Sequence, residues 1–204
     1  MKYKRNLFIS FEGPEASGKS SQLRLLSKYF LLNNIPHLIT REPGGTLNAE
    51  KLRKIILNKK ESITPTEEVL LLMAARLNHI NKVIKPALKA GKIVISDRFA
   101  DSTYVYQGFV NNYGMKKTIS LHKVFLNNFL PQKTFLLLLS PQKINKRLQS
   151  RKISNKYDKT NSSFHAKVIK GYKKLCNNNK RFFILKGDAS INHIHDQIIK
   201  ELNV

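Results

Sequence analysis

Residues 8–20 read FISFEGPEASGKS: a short apolar run that passes directly into Gly13-Pro14-Glu15-Ala16-Ser17-Gly18-Lys19-Ser20. The loop fits G-x-x-x-x-G-K-[ST]. Beyond it, Leu23, Leu26 and Phe30, with neighbouring Leu25, recur at helical spacing. Strand, glycine loop and helix in that order leave the backbone few options. Glycines permit conformations that side chains forbid, so successive N–H groups turn into one concavity and wrap an anion. The helix beginning near Lys19 adds the positive end of its dipole. Lys19 supplies a point charge to the outer phosphates, and the Ser20 hydroxyl can ligate Mg²⁺. A tight glycine turn with no ligand is the competing reading, and this context outweighs it. The chain is therefore expected to bind a nucleoside triphosphate.

The rest of the chain alternates in the same way. Apolar strands are predicted at 6–11, 37–40, 92–96, 133–139 and 181–185. Helices are predicted at 19–32, 48–57, 66–84, 115–127, 142–149, 164–175 and 193–202, the third capped by Thr66 or Thr64. Continuous apolar strands separated by helices imply an α/β fold, a five-stranded parallel sheet covered on both faces. At 204 residues the chain is expected to be a single domain. The stretch RKISNKYDKTNSS loses all apolar periodicity. Because a helix and a strand follow it, it is read as a short mobile lid over about 147–163 rather than a linker.

Charge and composition exclude several classes. The chain carries 37 Lys+Arg against 13 Asp+Glu, a formal +24, but the basic residues run from Lys2 to Lys200 without a compact block. No helix-turn-helix, zinc-finger or RNP-like signature accompanies them, so a nucleic-acid partner is not expected. The charge favours small acidic substrates. The longest apolar run, TFLLLLS, has strand length, far below the ~20 residues of a membrane span. The N-terminal apolar stretch reaches Glu12 too soon for a signal peptide, and Cys176 is alone. The chain is expected to be cytoplasmic.

Which triphosphate chemistry follows depends on other motifs. Asn155-Lys156-Tyr157-Asp158 matches the guanine-reading N-K-x-D by letters, but no apolar strand leads into it, and it is read as chance. A small domain with a flexible basic segment suits phosphoryl transfer to a second small molecule, where a lid must exclude water. Three further stretches stand at element ends: Thr40-Arg41-Glu42-Pro43-Gly44-Gly45-Thr46, Ala74-Ala75-Arg76, and Asp97-Arg98 leading into Ser102-Thr103-Tyr104-Val105-Tyr106-Gln107-Gly108. Arg41 and Asp97-Arg98 follow predicted parallel strands, the end where open α/β sheets bind ligands. Arginines there can grip a phosphate bidentately.

With these strings in order, the chain resembles the thymidylate kinase family of bacterial type, nearly end to end: F-E-G-x-E-x-x-G-K-S, T-R-E-P-G-G-T, A-A-R, K-P-A-L-x-x-G, S-D-R and S-x-x-Y-Q-G. The resemblance implies a P-loop NTPase fold, usually homodimeric, and transfer of the ATP γ-phosphoryl group to dTMP with Mg²⁺. It implies that Lys19 and Ser20 hold ATP and Mg²⁺, and that Asp97 helps organise the metal. It implies that Arg41 and Arg98 hold the dTMP phosphate and that Glu15 serves the acceptor side. Arg76, Thr103 and Gln107 would read the base, and Tyr106 would lie under the sugar and disfavour a 2′-hydroxyl. Pro43 is expected in a cis bond. Lid cations would come from Arg147, Arg151 and Lys156, with Arg151 closing over the phosphates, because this P-loop has no arginine between Glu15 and Lys19. Two departures stand out. Where the family lid often carries an acidic-arginine pair, this chain has Asn155-Lys156-Tyr157-Asp158, and Leu72 occupies a position often held by a base-stacking phenylalanine. A kinase for another pyrimidine monophosphate, and a basic nucleotide-binding protein that binds nucleic acid and has lost catalysis, remain as alternatives.

Overall fold

The computed structural model describes residues 6–58, 62–150 and 162–204. Along the chain run β1 (Phe8–Glu12), α1 (Lys19–Leu32), β2 (His37–Arg41), α2 (Leu47–Ile56), α3 (Pro65–His79), α4 (Lys85–Lys89) and β3 (Ile93–Asp97). There follow α5 (Ala100–Thr103), α6 (Met115–Leu126), β4 (Lys133–Leu138), α7 (Pro141–Gln149), α8 (Ser162–Cys176), β5 (Phe182–Lys186) and α9 (Ile191–Leu202). Two π-helical stretches, Ile80–Ile84 and Tyr104–Val110, join α3 to α4 and prolong α5.

The five strands pair in the order β2-β3-β1-β4-β5, all parallel. The expected α/β sheet is therefore present, and β1 lies at its centre. Both faces of β1 are buried because Phe8 and the Ile9/Phe11 pair point to opposite sides. On one face Phe11, Ile95 and Phe135 pack against Leu26 and Phe30 of α1 and Ile198 of α9. On the other, Phe8 and Val94 meet Val69 and Met73 of α3, and Leu136 meets Val168 and Tyr172 of α8. Each such side chain contributes roughly 1.5–3 kcal/mol by leaving water. Parallel strands bring their carboxyl ends to one edge, so Glu12, Arg41 and Asp97 emerge together there.

The sequence reading needs three corrections of detail. The helix expected over 66–84 starts at Pro65, with Thr64 as its cap: Thr64 Oγ1 accepts from Glu67 N, and Thr64 N donates to Glu67 Oε2. Thr66 lies inside the first turn. That helix also changes to π geometry at Ile80. Residues 100–110, read as a motif without a helix, are helical throughout. Arg151, Lys156, the 155–158 string and most of the expected lid lie outside the described residues. Among the described residues, no helix is long and apolar enough to cross a membrane.

Candidate active site

The glycine loop sits where β1 meets α1. Gly13 has φ 134°, and a Cβ there would lie 2.2 Å from the Leu137 carbonyl oxygen of β4. Only glycine tolerates both the conformation and the approach. Gly18, at φ 106°, caps α1 without a side-chain bond, which leaves that helix end facing the loop. The Ser17 hydroxyl is buried and has no partner among the described residues. Lys19 folds back over the loop and donates from Nζ to the carbonyls of Gly13 (3.0 Å) and Pro14 (2.8 Å). Burial, and then the charge of Arg98, pulls its pKa down to about 8. A cleft of about 970 Å³ opens over this loop, lined also by Ser20, Arg41, Arg53, Asp97 and Arg98. Ser20 and Asp97 put hard oxygen ligands into it, a donor set suited to Mg²⁺ completed by phosphate and water. Among the described residues no group of three or more His, Cys, Asp or Glu gathers into a self-sufficient metal cage.

Arg98 stands at the mouth of β3 in the left-handed region, φ 68°. For a non-glycine residue that conformation costs about 1–2 kcal/mol, and its neighbours hold it there. Its N–H donates to Phe11 O (2.9 Å), and Ser96 Oγ donates to its carbonyl (2.6 Å). Its guanidinium reaches Glu15 Oε1 (2.9 Å) and Gly13 O (3.0 Å) and stacks 5.1 Å from the Tyr106 ring centre. Tyr106 in turn donates to both Glu15 oxygens, at 3.0 and 2.8 Å. Burial opposes charge on both partners. Even so, Arg98 and Lys19 keep the Glu15 carboxyl below the ordinary range, and Tyr106 and Glu15 raise Arg98 above its own.

A second cavity, about 460 Å³, adjoins the first. It is lined by Pro43, Leu72, Arg76, Thr103, Tyr106 and Gln107, with Glu15 and Arg98 at the boundary. The Glu42–Pro43 bond is cis, as expected. Arg76 enters the cavity from α3, held by a buried network. Its Nε donates to Glu42 Oε2 (2.6 Å) and its Nη2 to Thr103 Oγ1 (2.8 Å), while Nη1 is buried without a partner among the described residues. His79 joins Glu42 Oε1 (3.0 Å) to Thr40 Oγ1 (2.7 Å). Burial disfavours the Glu42 charge, but Arg76, followed by the hydrogen bond from His79, keeps its pKa below the usual carboxylate value.

The residues expected around dTMP thus line one cavity, except Arg41. That residue lies in the P-loop cleft, paired with Glu50 of α2 at 3.1 Å and largely exposed. Arg147 donates to Ala16 O and Gly187 O, both at 3.1 Å, tying α7 to the loop. Sequence reasoning missed Arg53, which lines the cleft and donates to Pro43 O (2.8 Å). It also missed the parts played by Glu12, Glu42, Phe99 and Ser102. Arg53 reads only as a polar position on an amphipathic helix, whereas Glu42 could have been found as the one carboxylate in the T-R-E-P-G-G-T string.

Comparison with known proteins agrees with this geometry. A family model described as thymidylate kinase matches residues 11–198. The chain is 40% identical over 201 residues to the thymidylate kinase of Rickettsia africae, covering 98% of each chain. It is 41% identical over 198 residues to that of Mycoplasma capricolum, covering 95% of this chain and 93% of that one. Its fold is similar to the crystal structure of thymidylate kinase from Ehrlichia chaffeensis, with a TM-score of 0.74 and 30% identity over 96% of this chain and 98% of that one. A P-loop cleft joined through Arg98 to a largely apolar cavity, and a match that spans nearly every residue, identify the chain as a member of the thymidylate kinase family, the dTMP kinases.

Proposed function

We propose that this chain transfers the γ-phosphoryl group of ATP to dTMP, giving ADP and dTDP for dTTP biosynthesis. The observation that carries this reading is the pair of adjoining cavities with Arg98 between them: one has the charge of a polyphosphate site, the other the apolar walls of a base site. ATP lies along residues 13–20, and Lys19 leaves the Gly13 and Pro14 carbonyls to follow the outer phosphates. Mg²⁺, held by Ser20 and Asp97, supplies charge neutralisation when bound.

dTMP fills the second cavity. Arg76, Thr103 and Gln107 face the base, Leu72 and Pro43 cover it, and Tyr106 fills the space a 2′-hydroxyl would need. Arg98 and Arg41 hold the acceptor phosphate, and Glu15 keeps Arg98 aimed. An acceptor phosphate oxygen attacks the γ-phosphorus in line, the bond to the β–γ bridging oxygen breaks, and ADP departs with that electron pair. No covalent intermediate and no general base are needed, because positioning two mutually repelling anions is most of the task. Arg147, Arg151 and Lys156 belong to a lid over about 147–163 that closes on the phosphates, with Arg151 as its cation. The chain works as one domain in the cytoplasm and pairs as a homodimer. Leu70 and Leu77 of α3, with Val124 and Phe125 of α6, offer the exposed apolar surface for pairing. Neither a membrane nor a nucleic acid is required.

ADP formation from Mg·ATP tests this with dTMP, dUMP, dCMP, UMP or no acceptor. Turnover is expected with dTMP above the other acceptors, reduced roughly a hundredfold or more in Arg98→Ala. Equal ADP formation with and without acceptor would refute it.

A further inference from the structure

Glu12, the last residue of β1, lines neither cavity. It is fully buried, and among the described residues it makes no ion pair. A buried carboxylate with no cation in direct contact is costly to keep. Burial, reinforced by the nearby Asp101 charge and only partly opposed by the charge of Arg98, raises its pKa to about 7.

What Glu12 does with its oxygens is specific. Oε1 accepts from Phe99 N at 2.7 Å, fixing the backbone immediately after the left-handed Arg98. Oε2 accepts from Ser102 Oγ (2.6 Å) and from the Tyr172 hydroxyl (2.9 Å). Those two hydroxyls are also the groups that meet Arg98 Nη1, at 3.1 and 3.5 Å. A hydroxyl can accept from a guanidinium only when its own proton points elsewhere, since arginine has donors and no acceptor. By drawing both protons towards itself, Glu12 turns the lone pairs of Ser102 and Tyr172 towards Arg98. One carboxylate therefore bears on both the backbone next to Arg98 and its side chain, alongside the direct bonds that Phe11, Ser96 and Glu15 make to Arg98.

We infer that Glu12 is a positioning residue that acts through Arg98, holding its guanidinium for the acceptor phosphate without touching either substrate. This rests on the dTMP kinase reading. Its plain alternative is a packing role, Glu12 serving only to satisfy the buried backbone N–H of Phe99.

Glu12→Gln keeps the size but cannot accept all three bonds. Titration calorimetry with dTMP, with thymidine, which lacks the phosphate, and with a non-hydrolysable ATP analogue separates the two. The inference expects dTMP affinity to fall about tenfold, with thymidine and the ATP analogue within twofold of wild type. In an Arg98→Ala background the same substitution should add nothing, as a double-mutant cycle requires of residues acting as one unit. Should Glu12→Gln not fold, Tyr172→Phe removes one of the oriented hydroxyls. It should weaken dTMP about threefold, again only when Arg98 is present. Unchanged dTMP affinity, equal weakening of thymidine, or additivity with Arg98→Ala would overturn the inference alone. Wild-type protein that fails to bind dTMP would overturn it together with the reading it rests on.

Discussion

Arg76→Met separates the stability of the site from its function. Glu42 is buried and has two charged or polar neighbours, Arg76 at 2.6 Å and His79 at 3.0 Å. Removing one partner of a buried pair costs about 3–5 kcal/mol, because the other charge stays in a poor solvent. The low end, about 3 kcal/mol, is expected here: the second cavity borders Glu42 and lets water approach, and His79 still donates to it. Adding Glu42→Gln removes the stranded charge. The amide oxygen can still accept from His79 Nδ1, so the double variant should lie within about 1 kcal/mol of wild type. Binding behaves differently, since neither variant can present Arg76 to a base, and both should lose dTMP affinity alike. Urea unfolding at pH 7, followed by far-UV circular dichroism, gives the stabilities, and calorimetry gives the affinities. A cost under 1 kcal/mol for Arg76→Met alone would refute a stranded Glu42 charge. A second substitution that adds a loss instead of relieving one would refute it equally.

Three further outcomes follow from particular contacts. Leu72 is buried in the wall of the second cavity. Leu72→Phe should tighten dTMP about fivefold by restoring aromatic contact worth about 1 kcal/mol, measured by calorimetry, and an unchanged or weaker affinity would count against the base lying there. Gly13→Ala puts a methyl 2.2 Å from the Leu137 carbonyl oxygen. It should abolish binding of an ATP analogue and lower the melting temperature, whereas normal binding would show that the loop is not held by β4. His122 is buried, and its pKa is lowered from 6.5 to about 4, first by burial and then by Arg76. Between those values the unfolded chain takes up the proton and the folded chain does not, so stability falls as pH drops through that window, by up to about 3 kcal/mol. Unfolding of wild type and His122→Gln at pH 7 and pH 4.5 should show the difference shrinking at low pH, and a constant difference would refute the assignment.

Much of the fold could be read because it depends on local patterns. Strands buried on both faces must be apolar throughout, so 92–96 and 133–139 announced themselves. The glycines of the phosphate loop are dictated by geometry that tolerates little else. The segment 100–110 could not be read in this way. Thr103, Tyr104, Val105 and Tyr106 have modest helix propensity, and their helical form depends on packing against α8, where Gly171 has no side chain to hold Val105 and Phe109 away. Glu12 is a similar case. An acidic residue ending an apolar strand looks like a solvent-facing terminus, and only Phe99, Ser102 and Tyr172, distant in sequence, make it a buried acceptor. Arg41 followed the expected strand end, yet a carboxylate nine residues on, Glu50, draws it to the outer edge of the cleft.

The central claim is that two nucleotides meet across Arg98 and exchange a phosphoryl group. ATP carrying ³²P in the γ position, incubated with the protein, Mg²⁺ and dTMP, tests it most directly through the fate of the label. The account expects the label in dTDP, with little in inorganic phosphate. Label released as inorganic phosphate at the same rate with or without dTMP would contradict it.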